Sequence, residues 1–361
     1  MNDVLVDAQR LRAFVAAVLE AVDVEREDAC TVAEVLVAAD LRGHESHGVA
    51  RLEAFYVRPI QEGRIKPRAR TAVLRETAAT AVLDAGNGLG HPAARRAMEL
   101  CIARARESGT CVATVRRSNH FGIAGYYAML ALPHDMIGIC GTNSAALVVP
   151  TGGSTAMLGS NPIAVAVPAG RHRPFVLDMA TSVVPSGKVE VKARRGEPLP
   201  PGWAVDGAGR PTSDAQGVLD GLEQGRPGGL MPLGGMEAGH KGYGLAALVD
   251  ILCGVLAGAR AGPAIYGEAY ERGEPADVGH VVAAIDLAAF GPVDDFKRAM
   301  DAYIDTLHNA PRAAGVDRIL VAGEPEFETE ERRLRDGIPL HPRVADNLRA
   351  LGRELDITLP L

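Results

Sequence analysis

Asp40 to Arg51 is a twelve-residue stretch holding two histidines (His44, His47), a hydroxyl (Ser46), an acid (Glu45) and two arginines (Arg42, Arg51). Histidine exchanges protons near neutral pH, and arginine grips a carboxylate or phosphate through a planar fork of N–H groups. A proton donor beside an anion clamp is equipment for chemistry on a small acid. His44 and His47 also stand at i and i+3, the spacing of a metal pair on a helix. HExxH spacing is absent, however, and no further ligand lies nearby in sequence, so no metal is expected. By residue type alone each histidine is equally open to a structural hydrogen-bonding role. The neighbouring Ser46 and Arg51 weigh toward catalysis for one of them.

Three other segments carry polar groups at turns. Arg116 to Gly125 runs from a strand end into a helix and includes His120 with the small residues Gly122 and Ala124. In α/β proteins ligands gather at such junctions, so cofactor contact competes with simple capping by Ser118 or Asn119. Gly141, Thr142 and Asn143, and Gly159 to Pro162, read as turn signatures able to line a site. His240 and Lys241 stand between glycines at an expected helix start, where a lysine suits a cofactor phosphate. By contrast Gly86, Gly88 and Gly90 fail the dinucleotide fingerprint, because the third glycine falls two residues after the second instead of three.

The elements that must position these groups follow from periodicity. Leu11, Phe14, Val15, Val18 and Leu19 behind Asp7, and Val32, Leu36 and Ala39 behind Asp28, form two helical stripes. A third helix is expected over 49–62, with Leu52, Phe55 and Ile60 inward, and Gly43 and Gly48 turn the backbone before it. From about Thr71 short β-branched runs alternate with helices: strands at 79–84, 110–115, 136–140, 163–167 and 175–177, and helices at 91–108 and 123–132. Beyond a polar, proline-rich excursion come a helix at 243–256, a strand at 279–287, a helix at 294–307, a strand at 318–321 and a helical tail around Gly337. Helices at both ends of a mixed centre place the two termini in one domain.

Composition bounds the function. At 361 residues, 47% hydrophobic and 23% charged, the chain buries a large core and has room for two domains. A net charge of −7, no dense basic run and only 4% aromatic residues argue against nucleic acid as a partner. Five widely spaced cysteines without CxxC read as buried thiols in a reducing compartment. No leader is read in Met1 to Arg10, and the apolar stretch 242–259 is broken by Asp250, so a cytoplasmic protein off the membrane is expected.

Taken together, Asp40 to Val49, Ser118 to Gly122, Gly159 to Ala164, Leu177 to Ser182, Gly187 and Lys188, Trp203 to Asp206, and Gly239 to Gly244 closely resemble the malate/L-lactate dehydrogenase-type family. Its members include sulfolactate and ureidoglycolate dehydrogenases, diketogulonate reductase and piperideine/pyrroline-2-carboxylate reductases. The likeness spans nearly the whole chain, in the family's order. It implies an α/β fold with a non-Rossmann nicotinamide-binding domain of mixed sheet and helices, a helical domain built from both chain ends, and a homodimer. The boundaries expected are a helical domain at 1–70, a cofactor domain at 71–235, a segment at 236–275 packing with the N-terminal helices, a return to the cofactor domain at 276–325 and a helical segment at 326–361.

The same resemblance implies roles. His47 is the proton donor, Ser46 its hydrogen-bonded partner and Arg51 the clamp on the substrate carboxylate; Ser160, Ser186 and Gly187 join the substrate pocket, and Lys188 adds positive potential near the reacting oxygen. His120, Phe121, Gly122, Ile123, Ala124, Asp178, Met179, Ala180, His240 and Lys241 contact the cofactor, NAD ahead of NADP. Some relatives give the acid/base role to the histidine matching His120, so it competes with His47. Two departures stand out: Lys188 replaces an acid of the imine-reducing branch, which favours 2-oxo acids over cyclic imines, and Ser160 replaces the usual threonine while keeping a hydroxyl. Arg116, Arg117 and Lys241 are each open to a 2′-phosphate. Rival readings are cyclic imine reduction, a metal-dependent hydrolase using His44 and His47, and a non-catalytic acid-binding protein.

Overall fold

The computed structural model describes residues 3–359; Met1 and Asn2 of the leader reading and the last two residues of the 326–361 segment lie outside it. The chain opens with a short strand, β1 (Val4–Val6), then helices α1 (Ala8–Ala21) and α2 (Arg26–Leu41). Asp7 caps α1, accepting from the backbone N–H groups of Gln9 and Arg10, both at 2.9 Å. Leu11, Phe14, Val15, Val18 and Leu19 are buried on one face of that helix. The third helix is not regular. Glu45–His47 and Val49–Arg51 are 3₁₀ turns, Leu52–Val57 is a π turn, and only Arg58–Gln61 (α3) is α-helical. Leu52 and Ile60 face the core as expected, but Phe55 is 37% exposed, and Tyr56 and Val57 are buried in its stead. The wider π turn accounts for this, since it breaks the 3.6-residue register on which the expectation rests.

The central sheet has seven strands in the order β2-β3-β4-β10-β5-β6-β7, comprising β2 (Ala72–Glu76), β3 (Thr80–Asp84), β4 (Thr110–Ser118), β5 (Met136–Thr142), β6 (Ile163–Val167), β7 (Phe175–Met179) and β10 (Val278–Asp286). The exposed edge strand β2 has no counterpart in the sequence reading. Among the described strands of this sheet only β3 and β4 pair in parallel, and the helix α4 (Gly90–Ser108) makes the crossover that such a pair requires. The turn Asp84–Gly90 leads from β3 into α4 as the failed fingerprint implies. Strand β10 arrives late in the chain and inserts antiparallel between β4 and β5. The short helix α5 (Ala124–Met129) packs on β5 and β6.

The polar excursion hides a small lobe with its own core. Helices α6 (Ser186–Arg195) and α7 (Ala215–Glu223) and the two-residue strands β8 (Ala204–Val205) and β9 (Gly229–Leu230) gather Val148, Val184, Val189, Leu199, Val218 and Leu230. Helix α8 (Gly235–Asp250) begins eight residues before the expected helix and runs into a π turn at Ile251–Val255. Val249 and Cys253 lie against Val281 of the sheet, while on α9 (Glu268–Glu271) the Tyr270 ring lies 5.2 Å beneath the Arg64 guanidinium.

The C-terminal part comprises α10 (Val293–His308), α11 (Glu324–Asp336), β11 (Ile338–Leu340) and α12 (Pro342–Glu354). The strand expected at Arg318–Val321 is coil; it lacks a ladder, with the Val176 N–H donating at 2.9 Å to the next carbonyl, Ala322. Strand β11 pairs with β1, Val4 opposite Leu340, so the two ends of the chain meet, and Leu348 and Leu351 join α1 and α2 in one core. Four cysteines are buried, but Cys30 is exposed, because it falls on the solvent side of α2. No helix among the described residues is long and apolar enough to cross a membrane.

Candidate active site

The Asp40–Arg51 loop is shaped from beneath. The Asp40 carboxylate is buried at the end of α2 and accepts the Val49 N–H at 2.9 Å. A Cβ on Gly48 would fall 2.0 Å from Asp40 Oδ1, so the loop closes over the acid only with glycine there. Arg333 of α11 braces it by donating to the Asp40 carbonyl and to the Glu45 carboxylate. Burial pushes the Asp40 carboxyl up to about 7.

On this platform Ser46 Oγ lies 2.8 Å from His47 Nδ1, and Arg51 Nε donates to the Ser46 carbonyl at 2.7 Å. The Arg51 guanidinium also covers the Phe55 ring at 4.9 Å. Held by these contacts, it keeps its two terminal nitrogens free of hydrogen bonds among the described residues. The second histidine comes from the end of β4. The His120 ring stacks against His47, centroids 5.7 Å apart and planes 23° from parallel, and Phe55 meets it edge-on at 5.0 Å. Tyr56 Oη lies 2.5 Å from His120 Nδ1. Burial lowers His47 to about 4, aided by Arg51 and His44, and holds His120 well below its ordinary value, aided by His47.

Other expected residues fall in two groups. A Cβ on Gly187 would sit 3.6 Å from Ser46 Cβ, so the first turn of α6, with Ser186 and Gly187, adjoins the histidines; Lys188 follows on that turn and is exposed. Phe121, Gly122, Ile123 and Ala124 are buried behind His120. Neither Ser118 nor Asn119 caps α5. The Ser118 hydroxyl is 2.7 Å from His280 Nε2, Asn119 Nδ2 donates to the Gly88 carbonyl at 2.8 Å, and the Asp178 carboxylate instead accepts the Gly125 N–H at 2.8 Å.

Farther off, Asp178 and Met179, expected in a turn, are the last residues of β7; just beyond Ala180, Thr181 donates twice to the Ser160 carbonyl, from the backbone at 2.8 Å and the hydroxyl at 2.9 Å. His240 and Lys241 are in the second turn of α8, not at its start, and are exposed; no contact joins them to His47 or His120 among the described residues. The chain-order expectation places the helix start too late because the glycines at 234 and 235 already turn the backbone. Arg116 and Arg117 are engaged by Asp84 at 3.1 and 3.5 Å.

Several contributors escaped the sequence reading. Tyr56 bonds to a residue 64 positions away, a partner that no local spacing reveals. A cavity of about 290 Å³ beside Gly125 and Asp178 is lined by Arg42 and His44 from the loop and by Val321, Gly323 and Glu326 from the C-terminal part. Among the described residues, no group of three or more His, Cys, Asp or Glu is placed to hold a metal ion, and the hydrolase reading needs such a group around His44 and His47.

A family model described as malate/L-lactate dehydrogenase matches residues 6–349. A malate dehydrogenase of Pyrococcus abyssi is 42% identical over 359 residues, 99% of this chain and 96% of the relative. An L-sulfolactate dehydrogenase of Methanothermobacter thermautotrophicus is 36% identical over 348 residues, 96% of each chain. The crystal structure of malate dehydrogenase from Entamoeba histolytica matches with a TM-score of 0.95 at 36% identity, covering 99% of this chain and 100% of that one.

Proposed function

This chain belongs to the malate/L-lactate dehydrogenase family, is an oxidoreductase of small hydroxy acids, and on that premise we propose that it exchanges a hydride between a nicotinamide cofactor and C2 of a 2-oxo or 2-hydroxy acid of the malate or sulfolactate kind. The observation that carries the reading is the meeting of three groups from separate elements: the His120 ring beyond β4 stacks on His47, and Arg51 is held two hydrogen bonds away on the Ser46 carbonyl of the same loop.

The residues fit such a cofactor. Asp178 uses one carboxylate oxygen for the Gly125 N–H and keeps the other free of hydrogen bonds among the described residues, an acceptor suited to a ribose hydroxyl. The adjoining cavity is at the lower end of small-ligand pockets and would take part of a dinucleotide. Asp178, Met179, Ala180 and the run His120 to Ala124 would hold it, with His240 and Lys241 reaching its outer portion and NAD ahead of NADP. When bound, the nicotinamide supplies or takes up the hydride at C4.

Arg51 orients the substrate by gripping its carboxylate, which turns binding energy into alignment of C2. His47 accepts the hydroxyl proton in oxidation, a task suited to an imidazole held neutral near pH 7. In reduction it donates that proton to the developing alkoxide. A carboxylate on Arg51 offsets the guanidinium charge that depresses His47, so substrate binding itself favours the protonated imidazole. Ser160, Ser186 and Gly187 shape the pocket, and exposed Lys188 adds positive potential at its mouth.

We further take the protein to be a cytoplasmic homodimer. The five cysteines are free thiols. Tyr243, Leu248, Ile251, Val255 and Leu256 are 37–67% exposed along α8 and its π turn, an apolar face suited to a second copy.

The test is turnover of a panel of 2-oxo acids, oxaloacetate, sulfopyruvate, pyruvate and a cyclic imine among them, with NADH and with NADPH. Oxidation of the reduced cofactor with the dicarboxylic or sulfonated acid is expected. Turnover of the imine alone would replace the proposal with cyclic imine reduction.

A further inference from the structure

We propose that Tyr56 is a positioning residue that locks His120 in the tautomer carrying its proton on Nε2, making His120 a fixed hydrogen-bond donor to the substrate's reacting oxygen and leaving His47 as the sole proton carrier. This inference rests on the hydroxy-acid reading above. Two groups address His120 Nδ1: Tyr56 Oη at 2.5 Å and the Gly122 N–H at 3.4 Å. A backbone N–H only donates, so Nδ1 must offer its lone pair. The phenol then donates as well. Tyr56 is fully buried and its hydroxyl makes no other hydrogen bond among the described residues, so accepting from Nδ1 would strand its own proton away from water. Burial also raises the phenol far above its ordinary value, which keeps it a donor.

The surroundings leave Tyr56 little freedom. His91 meets its ring at 5.0 Å, itself fully buried with neither ring nitrogen hydrogen-bonded, and burial holds His91 neutral, lowered to about 3. Gly122 has φ +81, and a Cβ there would lie 2.6 Å from Val35, so the backbone amide facing Nδ1 is also held by close packing.

His47 has a different partner. Its Nδ1 faces the Ser46 hydroxyl, which donates or accepts by rotating, so His47 can gain and lose a proton at Nε2 while keeping that bond. The stacked imidazoles therefore divide the work. In reduction, C2 would receive the hydride of a bound nicotinamide, left oxidised as the C=O π bond opens, and His47 would give its Nε2 proton to the resulting alkoxide. The His120 Nε2 proton stays on nitrogen throughout.

Nitrogen-15 NMR of histidine-labelled protein, with His120→Gln used to assign the signal, reads the tautomer directly. The proton is expected on Nε2 of His120 at pH 7, and a tautomer mixture in Tyr56→Phe. That variant should lose roughly tenfold in kcat, with KM for the 2-oxo acid and Kd for NADH within about twofold. A proton on Nδ1 of wild-type His120, or an unchanged tautomer and kcat in Tyr56→Phe, overturns the proposal. Should the variant fail to fold, or should no acid of the panel be turned over, the wild-type spectrum alone decides it, separately from the functional reading.

Discussion

A half-buried imidazole between a hydroxyl and a guanidinium is a poor place for a proton until an anion arrives. Burial first, then Arg51 and His44, bring His47 down to about 4, so at pH 7 the free enzyme holds it neutral. Substitution of His47 by asparagine keeps a polar group of similar size beside Ser46 but removes the proton carrier. His47→Asn should therefore lose about 10²- to 10⁴-fold in kcat, while NADH affinity, followed by fluorescence titration, stays within about twofold. Parallel losses in rate and cofactor affinity would move His47 out of the catalytic role. At this scale the sequence was highly legible for Ser46, His47 and Arg51, whose contacts span one to five positions. It was silent for Tyr56, and it read Phe55 as core when that ring instead flanks His120 and Arg51.

Among the elements, the junction of α2 with the Asp40–Arg51 loop depends on one acid. Asp40 is raised to about 7 from an ordinary 3.8, so the folded protein holds its proton more tightly than the unfolded chain. The stability this contributes is fully present below about pH 4 and is lost as pH rises through 7. Asp40→Asn keeps an acceptor for the Val49 N–H and has no charge to bury. Comparing urea unfolding of the two proteins at pH 5 and pH 8, wild type should lose ground to the variant at pH 8, by up to ~2.5 kcal/mol, since about a third of the effect is already gone by pH 5. An equal difference at both pH values would show that Asp40 does not titrate in that window. Element types were read well where a long stripe or cap marks them, as in α1 and α4, and poorly where the backbone leaves the 3.6-residue period. The π turns at Leu52–Val57 and Ile251–Val255 and the short strands β8 and β9 are of the second kind.

For the molecule as a whole, the long apolar stretch around α8 is too exposed to be explained by its own fold. Leu248, Ile251 and Val255 are 47%, 52% and 67% exposed. Each large aliphatic side chain taken out of water contributes about 1.5–3 kcal/mol, so a few such pairs across a two-fold axis suffice to hold two copies together. The double variant Ile251→Asp with Val255→Asp should sediment at the monomer mass at concentrations where the wild-type chain sediments at twice that mass. Wild-type protein already at the monomer mass would remove the homodimer from the reading.

The chain's own order of residues was enough to establish the family, to put a histidine, a hydroxyl and an arginine into one loop, and to place helices at both ends that share one core. These rest on local patterns: hydrophobic period, caps, and motifs whose members are neighbours. Folding alone brought His120 from the end of β4 onto His47, set Tyr56 behind it, laid the first turn of α6 against Ser46, and left His240 and Lys241 apart from the histidines. Such meetings depend on crossovers and packing between segments tens to hundreds of residues apart, and side-chain periodicity along one element carries no record of what another element presents to it.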